Sequence, residues 1–167
     1  DHIKLEMADT EGGYLKSIQV IVSTYKSKMT DRLRPKNLTT DDVSVIFGNI
    51  EKLIPIHEKI FSCLSKGEPT GRVYHDARHG LLEYVEYVAR IQDAKARLDE
   101  VCKKRDVNDF FYKLQQQSTL KKYSLKDLIT LPFQRIMRYK MLLDRLKECT
   151  EKSHTGYRML KQAIGAM

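Results

Sequence analysis

The sequence predicts an all-α fold, and three observations carry that prediction. Eight glycines and four prolines in 167 residues are too few for the frequent tight turns of a β-rich chain. Alternating runs of β-branched residues are missing. Apolar residues recur instead three and four positions apart along almost the whole chain, the spacing of one buried helix face. With 41% hydrophobic and 31% charged residues, the chain has enough apolar surface to offset the entropy of ordering. Its length suits one domain with a core that needs neither metals nor disulfides.

The elements follow in order. A first helix is expected from about Thr10 to Arg32, since Tyr14, Ile18, Ile21, Tyr25 and Met29 fall in one stripe. Residues 1–9 read as a lead-in. Arg34-Pro35-Lys36-Asn37 ends the helix, and Thr39 or Thr40 can cap the next, with Asp41 and Asp42 complementing the dipole of its first turn. That second helix, roughly Asp41 to Leu64, carries Ile46, Phe47, Ile50, Leu53, Ile54, Ile60 and Phe61, and Pro55 should bend it. SKGEPTG breaks it. A short helix over Arg72 to Gly80 precedes a longer one, Leu81 to Lys104, marked by Leu82, Val85, Val88, Ile91 and Leu98. Asp106 to Gln117 is helical again, QQQSTLKKYS is a connector, and Leu125 to Thr150 reads as one long helix carrying Pro132. His154 begins a further helix whose apolar pattern is still running at Met167, so the domain is expected to be cut within its last helix.

Composition also excludes functions. No run approaches the ~20 apolar residues of a membrane span, and DHIKLEMADT lacks the features of a secretory signal. Cys63, Cys102 and Cys149 are odd in number and far apart, which fits a reduced, cytoplasmic setting. No GxGxxG or GxxxxGK[ST] loop offers a nucleotide site. His75 and His79 share a helix face but lack acidic or thiol partners for a metal. His57-Glu58 has no second histidine four residues after the first, and no GxSxG marks a serine nucleophile. The expectation is a protein with no catalytic residues, no metal and no cofactor. The net charge of +8 is concentrated: Lys103 to Lys147 holds twelve basic residues against four acidic ones. Such a field favours an acidic protein face, anionic lipid or nucleic acid, although basic residues interleaved with aromatics, which would favour nucleic acid, are missing.

The segment LPFQRIMRYKMLLDRL, Leu131 to Leu146, separates into two faces at roughly 100° per residue. Pro132, Ile136, Tyr139, Leu143 and Leu146 form an apolar stripe. Gln134, Arg138, Met141 and Arg145 lie opposite.

PFQRIMRYKMLLDRLKECT resembles the third conserved region of Dbl-homology domains, the exchange domains of Rho guanine-nucleotide exchange factors. Pro132, Gln134, Arg135, Arg138, Tyr139, Leu142, Leu143, Leu146 and Thr150 match its pattern. TEGGYLKSI, Thr10 to Ile18, resembles the first conserved region. IFGNIEKLIPIHEKIF, Ile46 to Phe61, resembles the second, and LLEYVEYVARIQDAKARLD the helix that follows. Leu131-Pro132 and the SLKDLITLP lead-in are similar to the Vav subgroup.

The resemblance implies an elongated antiparallel bundle of about six helices spanning residues 10–167. It implies a non-enzymatic exchange factor that binds the switch segments of a Rho- or Rac-type small GTPase and promotes GDP release and GTP loading. Glu11 matches the glutamate that holds the first switch, Arg138 the basic residue that reaches the second, and Gln134 a glutamine on the same face. Thr130 falls where the family discriminates among GTPases. Gly12-Gly13 depart from the longer side chains usual there and cost roughly 1 kcal/mol each in helix propensity. The resemblance further implies a cytoplasmic protein recruited to the plasma membrane, meeting anionic lipid through an adjacent pleckstrin-homology domain, and no nucleic-acid partner. Two alternatives stand beside it: a basic helical scaffold for membrane or another protein, and a Dbl-like domain without exchange activity.

Overall fold

The structure is a computed structural model that describes residues 2–148, 152 and 157–158. Every regular element among the described residues is helical: α1 (His2–Val20), a π-helical turn (Ile21–Lys26), α2 (Ser27–Thr30), α3 (Thr40–Phe47), α4 (Ile50–Ser65), α5 (Thr70–Ala77), a 3₁₀ turn (Gly80–Leu82), α6 (Glu83–Val101), α7 (Arg105–Gln117), α8 (Leu125–Leu128) and α9 (Leu131–Glu148). The helix expected from His154 lies outside the described residues apart from 157–158, which are helical.

The chain divides into two compact units. The first comprises Asp1–Leu15, Lys52–Tyr84 and Phe133–Met167. Its core includes Met7, Tyr14, Leu53, Ile60, Val73, Tyr74, Leu142 and Leu143. The second comprises Lys16–Glu51 and Val85–Pro132. Ile18, Ile21, Tyr25, Met29, Leu38, Phe47, Leu98, Val107 and Leu128 are buried there, and the Tyr87 hydroxyl donates to the Ile129 carbonyl at 2.5 Å.

Several boundaries differ from the sequence expectation for identifiable reasons. α1 begins at His2, not Thr10, because Met7 continues the buried stripe one turn back from Glu11 and Tyr14. The stretch expected as one bent helix from Asp41 to Leu64 is two helices, and the break falls at Gly48 rather than Pro55. Gly48 has a φ of 51°, a left-handed value that ends a helix and that glycine adopts without a Cβ penalty. Pro55 sits inside α4, where it removes one backbone donor without ending the helix. Leu125 to Thr150 also divides: Ser124 and Asp127 form a capping box on α8, and Pro132 occupies the first turn of α9, where its missing N–H goes unneeded. Thr39, rather than Thr40, caps α3, in a capping box with Asp42.

α6 carries the largest correction. Leu82 and Val85, expected inside, are 60% and 68% exposed, and the buried stripe is Leu81, Tyr84, Tyr87, Ile91, Ala94 and Leu98. The tyrosines win those positions because each combines a large apolar ring with a hydroxyl that finds a buried partner.

Candidate functional site

The first unit is organised around a buried polar cluster. Glu11 comes from α1, His57 from α4, Tyr84 from α6, and Arg135 and Tyr139 from α9. Each sits on the inward stripe of its helix: Met7, Glu11, Tyr14; Leu53, His57, Ile60, Leu64; Arg135, Tyr139, Leu142. These spacings of three and four put the polar groups where hydrophobic ones usually stand.

Glu11 is 0% exposed. Its Oε1 lies 2.6 Å from His57 Nδ1. Its Oε2 accepts a short hydrogen bond from Arg135 Nη2 and another from the Tyr139 hydroxyl at 2.6 Å. Burial alone would push the Glu11 carboxyl up. The His57 hydrogen bond, with Arg135 and Tyr139, outweighs it and holds the group below the usual carboxylate range.

An ionised carboxylate only accepts, so the His57 Nδ1 must carry hydrogen. Tyr139 spends its own proton on Glu11, so its oxygen also faces Nδ1–H as an acceptor, at 2.9 Å. The Tyr84 hydroxyl is hydrogen-bonded to His57 Nε2 at 2.6 Å and to the Tyr14 hydroxyl at 2.7 Å. The Arg135 guanidinium also lies 4.6 Å from the Tyr139 ring centroid, within cation–π range. A carboxylate and a guanidinium thus compensate one another inside the unit, and their hydrogen bonds tie α1, α4, α6 and α9 together.

The other face of α9 is outside. Gln134 and Arg138 are exposed one turn apart, beside Met137 at 58% and Met141 at 66% exposure. One turn further on, Arg145 meets Glu6 of α1 at 3.6 Å.

The structure therefore treats the expected site residues differently. Gln134 and Arg138 stand together on the surface. Glu11, expected as a surface contact, is fully buried instead, because position 11 belongs to the Met7–Tyr14 stripe and both its oxygens are engaged. A Cβ on Gly12 would come within 2.8 Å of the Phe61 ring, so glycine there lets the ring close over α1. Thr130, in the second unit, is half-buried, with its hydroxyl donating to the Lys126 carbonyl at 2.9 Å. Pro132 and Tyr139 are buried, whereas Ile136 is only half-buried and the Leu146 side chain is outside the described set. Sequence reasoning gave no role to His57 or Tyr84, and Arg135 entered it only as a match to the family pattern. The Leu53-His57-Ile60-Leu64 spacing is the signal that places His57 inside. Among the described residues, no group of three or more His, Cys, Asp or Glu is arranged to hold a metal ion.

The first unit is thus all-α and locked by a buried ion pair, and the α9 face that carries Gln134, Met137, Arg138 and Met141 is left open. Comparison with known proteins specifies the family. A sequence profile of the RhoGEF domain matches residues 3–167, and the chain belongs to that family. It is 32% identical over 174 residues to Protein vav of Drosophila melanogaster, covering 100% of this chain and 21% of that protein. The chain thus spans about a fifth of that relative's length. A structure of the Vav1 exchange factor, which describes the structural role of its PH and C1 domains, superposes with a TM-score of 0.86 at 25% identity, covering 98% of this chain and 45% of that one. The PDZ-RhoGEF DH/PH domains in complex with GTP-gamma-S activated RhoA share the fold at TM-score 0.86 and 18% identity, over 99% of this chain and 49% of that one. The fold is accordingly the helical bundle of Dbl-homology domains.

Proposed function

We propose that this chain is the exchange module for a Rho-type small GTPase, promoting GDP release and GTP loading. The observation that carries the reading is the open face of α9. Gln134 and Arg138 project there beside Met137 and Met141, while the opposite face is fastened to α1 through Glu11, Arg135 and Tyr139. Family membership and the RhoA complex of a structural neighbour support the choice of partner.

The mechanism makes and breaks no bond. A partner that binds best to the nucleotide-free GTPase lowers nucleotide affinity by the factor by which nucleotide lowers its own, and cytoplasmic excess of GTP then sets the direction. Arg138 supplies a fork of donors to a switch segment, and Gln134 donates and accepts beside it. Glu11 serves the site from beneath, by fixing the register of α1 against α9. Thr130 contributes to the choice of GTPase through lone pairs that its bond to the Lys126 carbonyl leaves free. Action at the plasma membrane belongs to the same reading. Among the described residues, no helix is long and apolar enough to cross a membrane.

Release of fluorescent GDP from a panel of Rho, Rac and Cdc42-type GTPases tests the proposal. The protein should accelerate release from at least one, and Arg138→Ala should abolish the effect. No acceleration of any member would sink it.

A further inference from the structure

Leu33 is the most exposed large hydrophobic among the described residues, at 88%, and it stands at the apex of the α2–α3 loop. A single exposed leucine is ordinary. Its surroundings are not. Arg32 and Arg34 flank it and Lys36 follows. The turn between α6 and α7 adds exposed Lys103, Lys104 and Arg105. The two segments are joined in the second unit: Lys104 Nζ donates to the Asn37 carbonyl at 3.0 Å, and Asn37 Nδ2 donates to Asp106 at 3.1 Å.

The apex is also ordered. The Asp31 carboxylate accepts from the Leu33 amide at 3.4 Å, the Arg34 amide donates to the Asp31 carbonyl at 3.2 Å and the Leu38 amide to Pro35 at 3.0 Å. Leu38 anchors the loop's far end, 1% exposed. Arg34 is braced by the Met29 carbonyl at 3.2 Å. On the flank of the loop, Arg32, Arg34, Lys36 and the threonines at 30, 39 and 40 line a groove of about 500 Å³. Of the acidic residues nearby, Asp106 is engaged by Asn37, Asp109 approaches Arg105 at 4.0 Å, Asp41 and Asp42 are paired with Arg97 at 2.8 Å, and Asp31 lines the same groove while accepting from the Leu33 amide. Five cations, Arg32, Lys36, Lys103, Lys104 and Arg105, are therefore exposed on the loop that carries Leu33 and on the turn joined to it.

The geometry points to a membrane contact: Leu33 enters an anionic bilayer surface while Arg32, Lys36, Lys103, Lys104 and Arg105 meet its phosphate and carboxylate headgroups. Charge alone would suit nucleic acid equally well. The apolar tip does not, because it gains nothing against a phosphate backbone, and no aromatic ring in the cluster is available for stacking on bases. The contact is independent of the exchange reading and uses none of the α9 surface.

The chain contains no tryptophan, so Leu33→Trp introduces a sole indole reporter at the tip. With vesicles of phosphatidylcholine and phosphatidylserine, its emission should shift to the blue and the protein should co-sediment, whereas pure phosphatidylcholine should give neither. Leu33→Ser should weaken vesicle binding roughly tenfold. Arg32→Glu or Lys36→Glu should each weaken it at least about fivefold. Leu33, Arg32 and Lys36 are all exposed, and unchanged melting curves would confirm that the variants fold. Absence of vesicle binding, binding without a blue shift, or binding indifferent to Leu33→Ser would each overturn the proposal. So would an oligonucleotide that binds more tightly than the vesicles and ignores Leu33→Ser.

Discussion

Glu11 and Arg138 are charged residues on α1 and α9, one buried and one exposed, and their substitution should read out differently. Glu11→Gln leaves the Arg135 guanidinium buried without a counter-charge, a change that costs about 3–5 kcal/mol. The double variant Glu11→Gln with Arg135→Met removes both charges and should recover most of that loss in urea unfolding; equal or greater loss in the double would show that the pair is not coupled. The pH dependence has a definite sign. The folded Glu11 pKa is depressed, so its stabilisation is complete above the ordinary carboxylate value near 4.5 and is lost as pH falls through the folded value. Acid unfolding of Glu11→Gln should accordingly be shallower below that pH than that of the parent protein. Arg138→Ala and Gln134→Ala, by contrast, touch exposed side chains and should leave the melting temperature within about a degree or two while exchange is lost or sharply reduced. Arg138→Lys, which keeps the charge but not the fork, should fall between. Loss of exchange in Glu11 variants alone would be ambiguous. This difference was only half legible in the sequence: the face analysis of α9 placed Gln134 and Arg138 outside, but Glu11 matched a family position without its burial being read from the Met7-Glu11-Tyr14 spacing.

The helices were legible where apolar residues alone define the stripe, and less so where polar side chains take core positions. Tyr14, Ile18, Ile21, Tyr25 and Met29 of the first stripe are all buried. The first turns of the α6 stripe were read one position late, through Leu82 and Val85, since periodicity counted aliphatics and gave no weight to Tyr84 and Tyr87, whereas Ile91 and Leu98 are buried as expected. The single helix expected over Asp41 to Leu64 breaks at Gly48, because a left-handed glycine ends the ladder whereas Pro55, mid-helix, removes only one donor. Gly12 and Gly13 illustrate how tertiary context divides two equal propensities. A Cβ on Gly13 meets nothing within 4 Å, so Gly13→Ala should raise stability by about 0.5–1 kcal/mol. On Gly12 the Cβ would displace the Phe61 ring, and the same gain in helix propensity is offset by lost packing. Thermal melts should therefore rank Gly13→Ala above the parent and Gly12→Ala at or below it. An equal gain from both would mean that the Phe61 ring does not pack against α1.

At the scale of the whole molecule the dominant quantity is the net charge of +8. A surplus of that size acts at distances that contact residues do not reach, so it bears on encounter rather than on the displaced nucleotide. The two effects separate in an exchange assay. At low concentrations of exchange factor and GTPase the rate of stimulated release follows association, which a complementary field accelerates and salt screens. With the GTPase fully bound, the rate follows events at the α9 face, where charges in contact are screened far less. Raising ionic strength from about 0.1 M to 1 M shortens the Debye length from about 10 Å to 3 Å. The second-order rate constant for stimulated GDP release should then fall by roughly tenfold or more, while the rate at saturation changes little. Arg138→Ala should show the reverse pattern, losing the saturated rate even at low salt. A second-order constant indifferent to salt would show that the basic surface is turned away from the approaching GTPase. The charge surplus would then have to act elsewhere, as it does at the Leu33 tip, where salt should weaken vesicle binding without touching exchange.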